Sequence, residues 1–286
     1  MSKTLPGGNS GGNIEHRFGA SVPKQLITSP VPRPIMPGIT TPSSKRPWWH
    51  IGMPSSPVPG SPIIPGEQLS PAVPIHDLQN NIYETVRIGN LCITTKGWKG
   101  TLDADENPIP HLGYSTAFNW EWNHATTSKR SSVPNIQGYQ NIYGWLYNYY
   151  CSQPGGLWIP PDWRIPTKDD WTHIMQIIDP EGIVIEPNEV ISSNAGFHMK
   201  ANVDLPSGWE EGQGGDTYGF DGLPGGYRNG SGYVWPNGMG TYWTANGGIS
   251  GGVSLSAFND ECRWFYSSSQ MHPPGRHIRL VKDCGL

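Results

Sequence analysis

In the stretch PDWRIPTKDDWTHIMQIIDP the apolar residues Trp171, Ile174, Met175 and Ile178 recur at the spacing of a single helix face. Thr167 stands where an N-cap belongs, with Pro166 just outside it. Asp169 and Asp170 occupy the first turn, where the helix dipole favours acids, and Thr167-x-x-Asp170 has the spacing of a capping box. Asp179-Pro180 closes the segment. The pattern predicts an amphipathic helix of about three turns, held to a core by Trp171. Other segments alternate with the period of a strand. NIYETVRIGNLCITTKG reads as strand, turn at Gly89-Asn90, and strand; CRWFYSSS and RHIRLVKDC read as two final strands.

Between these lie segments with neither period. NIYGWLYNYYC reads as a short aromatic helix that packs rather than catalyses, and GFDGLPGGYRNGSGYVWPNGMGTYWTANGG as hairpins and tight turns. Residues 97–135 read as irregular; DADEN within them lacks the Gly and distal Glu of an EF-hand and reads as a solvated loop. Together the elements predict an α+β domain over residues 76–286, with two helices in a loop-rich mixed sheet.

Residues 1–75 differ in kind. They hold 15 of the 29 prolines, and a spacing such as SPVPRPIMPGITTP forbids both a helix and an interior strand. The segment reads as an extended, largely polyproline arm without a core of its own. Its apolar residues, Phe18, the pair Trp48 and Trp49, and Ile63 and Ile64, read as anchors along a partner surface. The arm carries six Lys and Arg against two acids, and the remainder 13 against 21, so a mildly basic arm precedes an acidic body.

Composition supports folding. Gly 37 and Pro 29 imply short elements and many turns, but 13 Trp, 12 Tyr and 6 Phe supply an aromatic core that a disordered chain lacks. The net charge of -4 does not point to nucleic acid. No apolar run reaches the roughly 20 residues of a membrane span. The first residues lack the apolar core of a signal peptide, which predicts a protein that reaches the outside, if at all, by another route. Cys92, Cys151, Cys262 and Cys284 form no C-x-x-C pair; buried free thiols are the preferred reading, with a Cys262–Cys284 bridge as the alternative.

Six blocks occur in order: YETVRIGN at 83–90, YGWLYNYY at 143–150, PDWRIPTKDDW at 161–171, YGFDGLPGGYRNGSGYV at 218–234, GTYWTA at 240–245 and HIRLVKD at 277–283. They resemble the Fibrobacter succinogenes major paralogous domain over roughly residues 76–286. The resemblance implies a C-type-lectin-like fold, similar to formylglycine-generating enzymes and to the variable proteins of diversity-generating retroelements. It also implies that the capped helix braces a twisted antiparallel sheet. Trp163, Pro166, Thr167, Trp171, Tyr227 and Trp243 are its expected structural residues. Asp162 departs from the family's usual Gly, Asp170 from its Glu, and Leu280 from its penultimate-strand Cys, so a shared ligand does not follow.

Catalysis is not expected. The related enzymes use paired cysteines at a copper site, for which no spacing exists here; no G-x-S-x-G occurs, and the nine His are scattered. No cofactor and no metal are predicted. EPN at Glu186–Asn188 and FND at Phe258–Asp260 echo the calcium and sugar elements of C-type lectins, but they lie about 70 residues apart and read as ordinary turns. Recognition is assigned instead to the small, polar loops after YWTA and before RHIRL, through Asn246, Ser250, Ser267, Ser268, Gln270, His272 and Arg276. Together these readings predict a bacteriophage virion component: a head, tail or fibre protein whose arm docks into other virion proteins. It would form a homo-oligomer, a trimer by preference, and display its body toward a host-surface glycan or protein. The alternative is a bacterial surface or secreted adhesin.

Overall fold

The computed structural model describes residues 72–113, 120–132, 138–203, 208–210, 213–230, 232–234, 236–268 and 274–285. The chain divides into two units, Met1–Pro59 and Gly60–Leu286, and every described residue lies in the second. In chain order its first elements are strands β1 (Ala72–His76), β2 (Ile82–Ile88) and β3 (Leu91–Thr94), helix α1 (Trp120–Asn123) and strand β4 (Arg130–Ser131). Helix α2 (Tyr139–Tyr143), strand β5 (Leu146–Tyr147), a 3-10 turn (Tyr149–Ser152) and helix α3 (Lys168–Ile178) follow. Next come β6 (Ile183–Glu186), β7 (Glu189–Ser192), α4 (Ala195–Met199), β8 (Tyr227–Asn229) and β9 (Gly232–Val234). The last strands are β10 (Met239–Tyr242), β11 (Gly252–Ser256), β12 (Cys262–Phe265) and β13 (Val281–Asp283).

The strands build two main sheets and two short ribbons. The first sheet has the order β1-β2-β3-β13 and the second β10-β11-β12-β7-β6, antiparallel throughout; β4-β5 and β8-β9 are separate pairs. The first sheet brings the two ends of the domain together, because β13 pairs with β3 in the register Lys282↔Cys92. The outcome is an α+β domain, as expected. Its strand β1 straddles the arm boundary placed at residue 75.

The predicted helix is α3. Its N-cap Thr167 accepts from the Asp170 N–H, while the Asp170 carboxylate accepts from the Thr167 N–H at 2.7 Å, so the capping box closes. Arg164 Nη2 binds the other oxygen of Asp170 at 2.9 Å. Burial pushes the Asp170 carboxyl up, but the bonds from Arg164 and Thr167 outweigh it and hold it below the usual carboxylate range. Ala245 N–H and the Thr244 hydroxyl both donate to the Pro166 carbonyl, at 2.9 and 3.0 Å. Removing the cap in Thr167→Ala is expected to cost about 1 kcal/mol in an equilibrium unfolding experiment.

Packing rather than length stabilises this helix. Trp171, Ile174, Met175 and Ile178 are buried against Val190, Val253, Leu255 and Trp264 of the second sheet and Ile88, Leu91 and Ile93 of the first. Fully burying an apolar side chain of this size stabilises by roughly 1.5–3 kcal/mol. Gly89 at the β2–β3 turn has φ +63, and a Cβ there would meet Ile177 Cδ1 at 2.2 Å, so the turn needs glycine for both its conformation and its fit against α3. A second cluster, centred on Tyr83, Trp98, Tyr147 and Trp243, fills the space beside the first sheet.

Two expectations are corrected. NIYGWLYNYYC is not one helix but α2, β5 and a 3-10 turn, because Gly144, at φ 84, ends α2 and a Cβ there would clash with the Gly97 carbonyl at 2.7 Å. The cysteine pairing also differs: Cys92 and Cys284 form the disulfide, and Cys151 and Cys262 are the buried free thiols. Cys262 lies in the middle of the second sheet, whereas Cys284 follows β13, the neighbour of Cys92. The described residues contain more helical segments than the two expected, although α1, α2 and α4 span only four or five residues each.

Candidate functional site

The second sheet has two unlike faces. Tyr242, Val253, Leu255, Cys262, Trp264 and Val190 turn inward to α3 and are buried. The residues between them turn outward: Met239, Ser254, Arg263, Phe265 and Glu189. These five line a groove of about 630 Å³, completed by Asn188, Tyr227, Tyr266 and Arg276. Its floor is sheet backbone whose hydrogen-bonding groups are engaged in the β10-β11-β12-β7 ladders. Chemistry in the groove therefore comes from side chains.

Arg263 on β12 and Glu189 on β7 are diagonal neighbours, since Arg263 pairs with Ile191 and Phe265 with Glu189, and they form an ion pair, which cancels their charges. Arg276 is different. It is 6 % exposed and makes no ion pair with any described residue. Its guanidinium carbon lies 5.1 Å from the Phe265 ring, 5.6 Å from Trp243 and 5.9 Å from Tyr227, a cage of ring faces. Nη2 donates to the Ser250 carbonyl at 2.8 Å, while Nε is buried without an acceptor. Burial lowers its pKa to about 10, so it stays charged at neutral pH. Gly252 makes room for it: a Cβ there would sit 3.0 Å from Arg276 Cδ and Nε, and 2.5 Å from the Tyr242 carbonyl.

The polar loops expected to recognise a ligand adjoin this groove. Ser250 N–H donates to the Ser267 carbonyl at 3.1 Å, and Ser267 N–H to the Gly247 carbonyl at 2.9 Å, so the two loops are tied together. Ser268 is exposed beside them. Asn246 is also exposed, but its side chain accepts from the Lys168 N–H at 2.9 Å and thereby caps α3. Gln270 and His272 lie outside the described residues, as do Phe18, Trp48, Trp49, Ile63 and Ile64. Among the expected structural residues, Pro166, Trp171 and Trp243 are buried, and Trp243 Nε1 donates to the Tyr147 carbonyl at 2.7 Å. Trp163 is half-buried under Lys282, and Tyr227 lines the groove. Sequence reasoning missed Glu189, Met239, Ser254, Arg263 and Phe265. The outward positions of alternating strands were the available signal.

The two lectin-like triplets do not meet. Glu186 pairs with Glu189 at one end of β7, whereas Asp260 precedes Cys262, which pairs with Ser192 at the other end. Asp260 instead faces the buried Lys200, whose Nζ lies 3.3 Å from its carboxylate and donates to the Asn259 carbonyl at 3.0 Å. Among the described residues no group of three His, Cys, Asp or Glu side chains could hold a metal ion.

The family model of the Fibrobacter succinogenes major domain matches residues 86–282. The chain belongs to this family. Domains of the Fibrobacter succinogenes major family are non-catalytic bacterial surface domains. No curated protein and no solved structure matches the chain. Family membership overturns the expectation of a bacteriophage virion protein. A bacterial surface domain has no head, tail or fibre to enter, so virion localisation and virion partners for the arm are withdrawn, together with the trimer tied to them.

Proposed function

We propose that the domain is a binding module of a bacterial surface protein and that its ligand occupies the groove on the outer face of the second sheet. The observation that carries this reading is Arg276, a buried cation with no carboxylate partner among the described residues, held at the wall of a groove rimmed by aromatic rings. Buried charges are ordinarily paired, and an unpaired one beside an open concave surface is a signature of a ligand site. The Cys92–Cys284 disulfide supports a location outside the reducing cytoplasm.

We further infer a C-type-lectin-like arrangement of the α+β domain. In support, β13 returns beside β3, so the domain closes on itself, and α3 packs between the two main sheets while the polar loops gather at the groove. The Pro-rich residues before β1 are, in this reading, a region of the chain distinct from the binding module.

The test is binding of the intact chain to a panel of polysaccharides and cell-surface proteins, with wild type compared with Ser254→Trp. Ser254 is half-buried in the middle of the groove, and an indole there fills the space without entering the core. Loss of binding by a variant that unfolds like wild type is expected. Identical binding by the two proteins would move the site away from this face.

A further inference from the structure

We propose that the groove binds an acidic glycan, with the carboxylate of a uronic acid residue paired to Arg276 and the sugar ring laid on the aromatic rim. This rests on the groove being the ligand site, and it adds the chemical class. Charge selects the acid. The Arg263–Glu189 pair neutralises itself, which leaves Arg276 as the uncompensated charge among the groove's described side chains. Of its nitrogens, Nη2 serves Ser250 and Nε is enclosed; Nη1 donates to no described protein group and remains for a ligand. A charged N–H donor of this kind makes its strongest hydrogen bond to an anionic oxygen such as a carboxylate. The three surrounding rings hold the cation in place, and the tight fit over Gly252 limits its freedom, so little ordering is left for binding.

The rest of the groove selects a sugar over an acidic peptide. A peptide bound along a strand is read through its main chain at a sheet edge. Here the floor is a sheet face, and its backbone groups are engaged in the strand ladders. What remains is the hydroxyl of Ser254, the amide of Asn188, the carboxylate of Glu189 and the rings of Phe265, Tyr227 and Tyr266, the last 46 % exposed. Hydroxyl-matching polar groups beside flat apolar rings suit a pyranose, which carries hydroxyls around its edge and C–H groups on its faces. A volume of about 630 Å³ accommodates one or two such residues.

The experiment is calorimetric titration of the full chain with a galacturonic-acid trisaccharide, its methyl ester, a glucuronic-acid-containing oligosaccharide and an oligoglutamate peptide. The acid form of at least one uronic oligosaccharide is expected to bind. Esterification, which removes the charge without touching the protein, is expected to weaken binding by about ten- to a hundredfold. Arg276→Lys keeps the charge but loses the ring-held Nη1 donor and should lose most of that preference; Ser254→Trp should abolish binding. The ester arm guards against the case in which an Arg276 variant fails to fold. Equal binding of acid and ester, lost in Ser254→Trp, would overturn the carboxylate assignment and leave the groove as the site. Binding of the peptide alone would overturn the glycan, and binding of none of the four would overturn this inference, while the panel comparison with Ser254→Trp decides the groove itself.

Discussion

Reducing the Cys92–Cys284 disulfide is expected to lower the unfolding free energy by about 2 to 5 kcal/mol, read as a shift in the denaturant midpoint with and without reductant. The bond spans 192 residues of sequence, so its removal frees a very long loop in the unfolded chain. It also fastens the C-terminal seam of the first sheet. Strand β13 spans three residues and pairs with β3, with Arg164 bridging to Val281 on its other side and Cys284 N–H donating to the Asn90 carbonyl at 2.8 Å just beyond. Without the crosslink the C-terminal strand can fray from β3, and Val281, fully buried, leaves the core with it. The double variant Cys92→Ala/Cys284→Ala should match the reduced wild type and be insensitive to reductant. Burial pushes the Cys151 thiol up to about 12 and the Cys262 thiol up as well, so neither supplies a thiolate to scramble the bond. Single substitution of Cys151 should therefore leave the response to reductant intact. A reductant effect below the error of the midpoint would show that this bond carries no stability.

The sequence made some of this legible because certain signals are local. The α3 cap, its apolar face and the Gly89 turn depend on residues within one or two turns of each other, and the structure reproduces them. The disulfide was not legible, since which cysteines meet depends on β13 returning to β3 from 192 residues away, and no local pattern encodes that return. The aromatic stretch YGWLYNYY failed for a related reason: its rings suggested a helix face, but Tyr147 and Leu146 are needed as a strand against β4, and tertiary pairing overrode local preference. At the groove, Arg276 was singled out for its place in a polar loop, and its position among Phe265, Trp243 and Tyr227 arises from three separate strands or loops. Ser254, Arg263 and Phe265 were visible only as outward positions of short strands. Choosing the sheet face that would stay uncovered required knowing where α3 packs.

The variant Asp216→Asn is expected to lose stability steeply as pH falls from neutral to about 4, while wild type loses markedly less. Two groups with opposite signs produce this. His277 is 2 % exposed and sits at the hydroxyl of Tyr139, its Nε2 3.0 Å away. Burial, joined by the nearby Arg279 and only partly offset by the Gly225 and Trp145 backbone groups, lowers its pKa to about 4. Between about 6.5 and about 4 the unfolded chain therefore carries a proton on this imidazole that the folded chain refuses, so its contribution is complete above that window and is lost as pH falls through it. The full loss is about 3 kcal/mol. Asp216 does the reverse. Burial raises its carboxyl to about 6, helped by the nearby Asp221 and opposed by the Asp221 N–H, Arg279 and Lys96, so the folded chain takes up a proton in the same range that the unfolded chain does not. Its contribution grows as pH falls, offsetting that of His277, by an amount moderated by its partial exposure. Asn at position 216 keeps the oxygen that accepts the Asp221 N–H at 2.7 Å but cannot titrate, which exposes the histidine's acid sensitivity. Urea unfolding of both proteins across the range is the measurement, and superimposable pH profiles would show that Asp216 does not titrate in this window.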